Sequence, residues 1–214
     1  MTVMLLVDVS ASGNFGTSSK WKKELMTEIS AVLAFSAIQN NDKIGVLFFS
    51  DKIEKFIPPK KGRTHILHII RELIDFQPES KGTDIQAALE YITNSIKKRC
   101  TCFVMSDFID NKDFSKTLAI ANRKHDVVAL KIYDPREEEL PNVGMIYLND
   151  SESGEKMWVD TGDKKLRDTY KYLYMKREAE LQAIFKKSGV DFATIATDKD
   201  YVKTLISLFK RRGA

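Results

Sequence analysis

The sequence has little of what several familiar protein classes need. Two cysteines in 214 residues cannot make a disulfide framework, so nothing in the chain asks for an oxidising compartment. Ten glycines and five prolines are too few for a fibrous or low-complexity chain. No apolar run approaches the roughly 20 residues of a membrane-spanning helix. The longest near the start, Val3-Met4-Leu5-Leu6-Val7, has strand length, lacks a basic lead-in and runs into Asp8, so it is no signal-peptide core either. Charge of one sign is also missing: 34 Lys+Arg against 30 Asp+Glu leaves +4, too small an excess to name nucleic acid as the partner. These absences predict a soluble, cytoplasmic chain with no nucleic-acid partner and no membrane contact by this segment. What is present is a composition 43% apolar and 30% charged, which suffices for one sizeable core.

Apolar runs of strand length alternate with segments of helical period. Strands are expected at 3–9, 43–50, 52–57, 100–106, 127–133 and 190–196, where the sequence is rich in Val, Ile, Leu and Phe. The 52–57 run follows its predecessor so closely that only an antiparallel hairpin fits, and Pro58-Pro59 is expected to stop it at a sheet edge. Helices are expected over 18–38, 63–76, from Thr83 or Asp84 to about 98, 112–123, 164–187 and 199–210. In the first, Leu25, Ile29, Val32, Leu33 and Ser36 form the inward face, opposite Lys22, Lys23 and Glu28. The runs 144–148 and 156–160 flank Asp150-Ser151-Glu152-Ser153-Gly154, a turn signal, and predict a β-hairpin insertion over about 143–160. Strand–helix alternation predicts an α/β fold, a Rossmann-like three-layer α/β/α domain over 1–214. Its sheet is expected to be mainly parallel, with one antiparallel edge strand. A hydrophobic strand starting almost at Met1 suggests a domain excised from a longer protein.

In open α/β sheets the functional loops leave the carboxyl ends of the strands, at the point where strand order reverses. The first such loop reads Asp8-Val9-Ser10-Ala11-Ser12, D-x-S-x-S. Alternate residues of an extended segment point the same way, so Asp8, Ser10 and Ser12 can converge. Thr83 before the third helix and Asp107 after the strand from Cys100 lie in two further loops. With strand order 3-2-1-4-5-6 these loops meet at the switch point. Two carboxylates and three hydroxyls form an all-oxygen set, which suits a hard divalent cation such as Mg²⁺. Neutral hydroxyls leave such an ion poorly neutralised, weakly held and open to a carboxylate from elsewhere.

This constellation resembles the metal-ion-dependent adhesion site of von Willebrand factor A domains. By that resemblance Ser10, Ser12 and Thr83 ligate Mg²⁺ (or Mn²⁺ or Ca²⁺) directly. Asp8 and Asp107 then act largely through water, and a sixth position is left to a partner's acidic group. Gly13 departs from the pattern, where Met is common, but follows the ligands. Further segments, among them 13–17, 42–46, 81–84, 105–108, 123–128, 134–137 and 159–161, are similar to a bacterial group, domain-of-unknown-function family 58, over about residues 3–208. Family members are often associated with MoxR-type AAA+ ATPases and are thought to be adaptors or chaperone-like partners without enzymatic activity. They usually have an upstream region, sometimes membrane-anchored. The resemblance therefore implies a non-enzymatic protein–protein interaction module in a MoxR-type system.

Competing readings are weaker. A haloacid-dehalogenase-type phosphatase uses D-x-D after its first strand, and Ser10 stands where the second carboxylate belongs. Gly13 to Lys20 has glycines and a lysine but not the phosphate-loop spacing. A metal-dependent hydrolase needs a base near the ion. No His lies in the three loops, and Asp84 is the closest spare carboxylate. A metal-free scaffold, its loop hydroxyls capping helices, is the remaining alternative. Cys100 and Cys102 read as buried small apolar residues, His65 and His68 as partly exposed helix positions, and His125 as local structure. Asp110 and Asp113 read as loop and helix caps. The long helix at 164–187 carries Leu166, Tyr170, Leu173, Tyr174, Leu181, Ile184 and Phe185, for which core packing is the default.

Overall fold

The computed structural model describes residues 1–17, 20–149 and 154–213. Its elements in chain order are β1 (Thr2–Asp8), α1 (Lys22–Gln39), β2 (Lys43–Phe49), β3 (Ile53–Lys60), α2 (Arg63–Asp75), α3 (Ile85–Ser95) and β4 (Thr101–Ser106). They continue with α4 (Ser115–Lys124), β5 (Asp126–Tyr133), β6 (Met145–Asn149), β7 (Lys156–Asp160), α5 (Lys164–Lys187), β8 (Asp191–Ala196) and α6 (Tyr201–Gly213). A six-stranded sheet has the order β3-β2-β1-β4-β5-β8, and β6 and β7 pair separately. All neighbours in the large sheet are parallel except β2 and β3. This is the expected three-layer architecture, with the antiparallel strand at an edge.

Side-chain alternation along the central strands divides the core in two. Val3, Leu5 and Val7 of β1 pack with α1, α2 and α6, through Leu25, Ile29, Ile66, Ile69 and Leu205. Met4 and Leu6 face the other way and pack with α3, α4 and α5, through Leu89, Ile92, Leu118 and Phe185. β1, β2 and β4 are buried nearly throughout. That is why they read as continuous apolar runs rather than alternating ones.

Three expectations need correction. β3 runs through Pro58-Pro59 to Lys60. Between the pairs Ile44↔Lys60 and Val46↔Ile57, the two prolines oppose the single Gly45, which makes a bulge. An edge strand tolerates the missing N–H groups. In α1 the inward face contains Lys22, Ser30, Ala34 and Ala37, whereas Val32 and Ser36 are exposed. The helix starts at Lys22, so the expected start at Ser18 lies outside the described residues. The same holds for turn residues 150–153, although the hairpin strands that flank them form in register Met145↔Asp160 to Asn149↔Lys156. Finally, α5 buries only Leu181 and Phe185. Leu173 is exposed, and Tyr170 is half-buried with its hydroxyl donating to the Glu137 carbonyl at 3.1 Å.

Candidate metal centre

β1 ends in Asp8, and the chain turns at once so that Asp8 and the two serines after it share one space. The Asp8 carboxylate is buried. Oδ1 accepts the Ser10 N–H at 2.9 Å, and Oδ2 accepts the Ser106 hydroxyl at 2.5 Å. Ser106 in turn accepts the Phe108 N–H at 2.9 Å, so one hydroxyl ties the end of β4 to the end of β1. Ser10 Oγ and Ser12 Oγ are 3.0 Å apart. Burial and the nearby Asp107 carboxylate push the Asp8 carboxyl up to about 7, against the downward pull of its Ser106 and Ser10 hydrogen bonds. A cavity of about 30 Å³ opens on Asp8, Ser10, Gly13 and Lys23, room for one water-sized group.

The loop that carries Thr83 is fastened beside this cluster. The Ala11 N–H donates to the Lys81 carbonyl at 2.9 Å, and the Asp84 N–H donates to the Ser50 carbonyl at 2.8 Å. Glu54 accepts the Ser80 N–H at 3.0 Å. Thr83 itself is half-buried. Asp84 caps α3 by accepting the Ala87 N–H at 2.8 Å, and it pairs with Lys112. Both of its carboxylate oxygens are therefore engaged. Asp110 accepts the Ile85 and Lys112 N–H groups, and Asp113 accepts that of Ser115, the capping roles expected of them.

Asp107 is differently placed. Oδ1 accepts the Ile109 N–H at 3.1 Å, and Oδ2 takes the Lys22 ammonium at 2.7 Å. Lys22 also reaches Glu137 at 2.6 Å. The lysine side chain is 1% exposed. Burial works against its charge, but Asp107 and Glu137 together hold its pKa above the ordinary value. Burial raises the Glu137 carboxyl, with Lys22 opposing. Lys22 and Glu137 were not expected here. Lys22 shares helical phase with Leu25 and Ile29, which was a legible signal; Glu137 gave none, because only the fold brings the segment after β5 to this point. That segment is held by Asp134, whose carboxylate accepts the Thr17 N–H and hydroxyl, the Arg136 N–H and the Thr197 hydroxyl.

The donor set can be tested against a hard divalent ion. With metal–oxygen bonds of about 2.0–2.1 Å, adjacent corners of an octahedron lie roughly 2.9 Å apart, and the Ser10 and Ser12 oxygens match that edge. Asp8 supplies a buried carboxylate beside them. Asp107 brings a second carboxylate, half-neutralised by Lys22. Asp8, Ser10 and Ser12 thus fit such an ion well, and Asp107 fits as a contributor of charge rather than as a free ligand.

The family model described as "Protein of unknown function DUF58" matches residues 1–180. An uncharacterized protein of Mycobacterium tuberculosis is 27% identical over 98% of this chain and 67% of its own length. Among solved structures, BatB from Bacteroides thetaiotaomicron superposes with a TM-score of 0.67 at 15% identity, covering 99% of this chain and 97% of that one. The SpRpn10 VWA domain gives 0.55 at 11% identity, covering 98% and 94%. Proximal thread matrix protein 1 of the mussel byssus, solved with a zinc-occupied MIDAS motif, gives 0.50 at 19% identity over 61% of this chain and 37% of that one. At these identities the structures establish a shared von Willebrand factor A-like fold.

Proposed function

This chain belongs to the DUF58 family, and on that footing we propose that it is a non-enzymatic protein–protein interaction module. In this reading it holds a divalent cation, Mg²⁺ first, at Asp8, Ser10, Ser12, Thr83 and Asp107. The observation that carries the reading is the pair of serine hydroxyls 3.0 Å apart beside the buried Asp8 carboxylate.

Bound there, a divalent cation supplies an electrophilic centre with a position for a partner's carboxylate. The chain's own residues do the rest. Ser10 and Ser12 offer neutral oxygens, so little of the cation's charge is cancelled. Asp8 is oriented by Ser106 and by the Ser10 N–H, and Thr83 approaches on a loop tied to Ala11. Lys22 adds a fixed positive charge beside Asp107, which supports weak binding of a bare ion and a need for the partner's acidic group. The mussel protein's zinc-occupied motif lends support by analogy. The partner is proposed to be a component of a MoxR-type AAA+ ATPase system, with the chain as adaptor. Among the described residues no helix is long and apolar enough to cross a membrane.

Calorimetry with Mg²⁺ and Mn²⁺ on the wild type and on Asp8→Ala/Ser10→Ala tests the site. One saturable site, lost in the variant and strengthened by an acidic peptide, is the expected result. Metal-dependent turnover of a generic phosphate ester, abolished by Asp8→Ala, would overturn the non-enzymatic reading. Identical heats in wild type and variant, with and without the peptide, would overturn the metal reading.

A further inference from the structure

The opposite end of the sheet carries a second cluster, built from soft ligands. Cys100 precedes β4, Cys102 lies in it, and His125 precedes β5. The two strands pair in parallel with Thr101 against Asp126 and Cys102 against Val127. That register sets Cys100 beside His125. The two cysteines alternate on one face of the strand, so both thiols point into the layer under α3 and α4. Cys100 Sγ lies 3.4 Å from Cys102 Sγ and 3.3 Å from His125 Nδ1. All three ligand atoms lie within 4.8 Å of one another. All three residues are buried, with Cys102 and His125 at 0% exposure.

We propose that Cys100, Cys102 and His125 form a site for a soft, thiophilic cation, Cu(I) ahead of Zn(II). Even with the third side of the triangle at its 4.8 Å limit, the point equidistant from the three atoms lies about 2.4 Å from each, close to metal–thiolate and metal–imidazole bond lengths of about 2.0–2.3 Å. Thiolate and imidazole together select soft or borderline ions. Zinc sites normally take four ligands; three ligands in a buried space suit the lower coordination that Cu(I) accepts. The other ring nitrogen, His125 Nε2, is buried without a hydrogen-bond partner. The Ile92 backbone carbonyl lies beside the ring, where it favours the protonated form. A metal-bound imidazole typically donates its second N–H to such a carbonyl, so a cation at Nδ1 would leave Nε2–H to meet it.

The surroundings are compatible. Burial first, then Lys124 and Arg99, hold His125 below its usual pKa, which keeps the ring neutral as a ligand must be. The charged groups around the cluster are Lys124, Arg99 and Asp126, and Asp126 is itself paired with Arg212. Two thiols release their protons to solvent on binding, and the thiolates offset the nearby positive charge. The exposed residues 97–99 lead directly to Cys100.

The test uses the reduced chain under anaerobic conditions, with Cu(I) buffered by bicinchoninate and, separately, Zn(II) buffered by a chromophoric chelator. The folded wild type should withdraw one equivalent of Cu(I). Cys102→Ala, Cys100→Ser and His125→Asn should each weaken that uptake by at least about tenfold, since losing a ligand costs no less than losing a group that orients one. Asp8→Ala should leave it unchanged, because the oxygen site lies at the other end of the sheet. Failure of the folded wild type to take Cu(I) would overturn the proposal, as would equal uptake by Cys102→Ala or a preference for Zn(II). Should a cysteine variant fail to fold by circular dichroism, alkylation of the wild type decides. Cu(I) should protect both thiols from iodoacetamide in dilute urea, and unchanged labelling would overturn the site.

Discussion

Lys22 and Asp107, 85 residues apart in the sequence, meet at 2.7 Å with both side chains almost fully buried. The lysine starts α1 and the aspartate follows β4, so the pair fastens a helix to the centre of the sheet beside the candidate metal centre. Glu137 completes it at 2.6 Å. The ammonium is thus a cation that the chain supplies for itself, next to the place proposed for one taken from solution.

Lys22→Met separates the two roles. Removing one member of a buried ion pair typically costs about 3–5 kcal/mol, because the carboxylates are left uncompensated. The variant's melting temperature without divalent ions should therefore fall well below that of the wild type. Millimolar Mg²⁺ or Mn²⁺ should recover more of the loss in the variant than it adds to the wild type, since Asp107 is then free to face the ion. A variant as stable as the wild type, or one that ignores the metal, would show that the pair is not the counterweight described.

Asp134 predicts a pH effect of known sign. Burial raises its carboxyl, but the Thr17, Arg136 and Thr197 hydrogen bonds outweigh that and leave it below the ordinary aspartate value. The unfolded chain then binds the proton more readily than the folded one. The stabilisation is complete above the unfolded pKa of roughly 4 and disappears as pH falls through the lower folded value. Asp134→Asn should cost about 3 kcal/mol at pH 7, and the difference from wild type should shrink below pH 4 in urea titrations. A difference that stays constant down to pH 2 would contradict the assignment.

Gly45→Ala should destabilise despite adding a single methyl. A Cβ there would meet the Ile57 carbonyl oxygen at 2.7 Å and Met4 Sδ at 2.8 Å. The thioether can swing away, but the backbone of the bulge cannot. An overpacking cost of about 1–3 kcal/mol is expected, read as a lower urea midpoint with unchanged m-value. An unchanged midpoint would mean that β3 shifts freely.

Much of this was legible in the sequence, for reasons that differ between elements. β1, β2 and β4 announce themselves because burial on both faces leaves a nearly unbroken apolar run, and the chain-order alternation then fixes the layers. Asp8, Ser10 and Ser12 were readable because three oxygen ligands sit within five residues. The partners of Lys22 were not, because they lie 85 and 115 residues away. His125 read as turn structure for a similar reason: it meets Cys100 only through the register of β4 on β5. The continuation of β3 past its prolines was hidden because a bulge depends on the partner strand, here on Gly45.

That bulge has a consequence for how the molecule meets its neighbours. Successive residues of a strand aim their N–H groups to opposite sides, so Pro58-Pro59 removes one donor on the β2 side and one on the open side. Gly45 accommodates the first loss; the second leaves the outer rim of β3 without a full ladder to offer. Lys60 adds charge at the end of the same strand. A stray extended segment, from another copy or from an unfolding chain, finds a poor template there. The proline pair protects that side of the sheet against edge-to-edge aggregation.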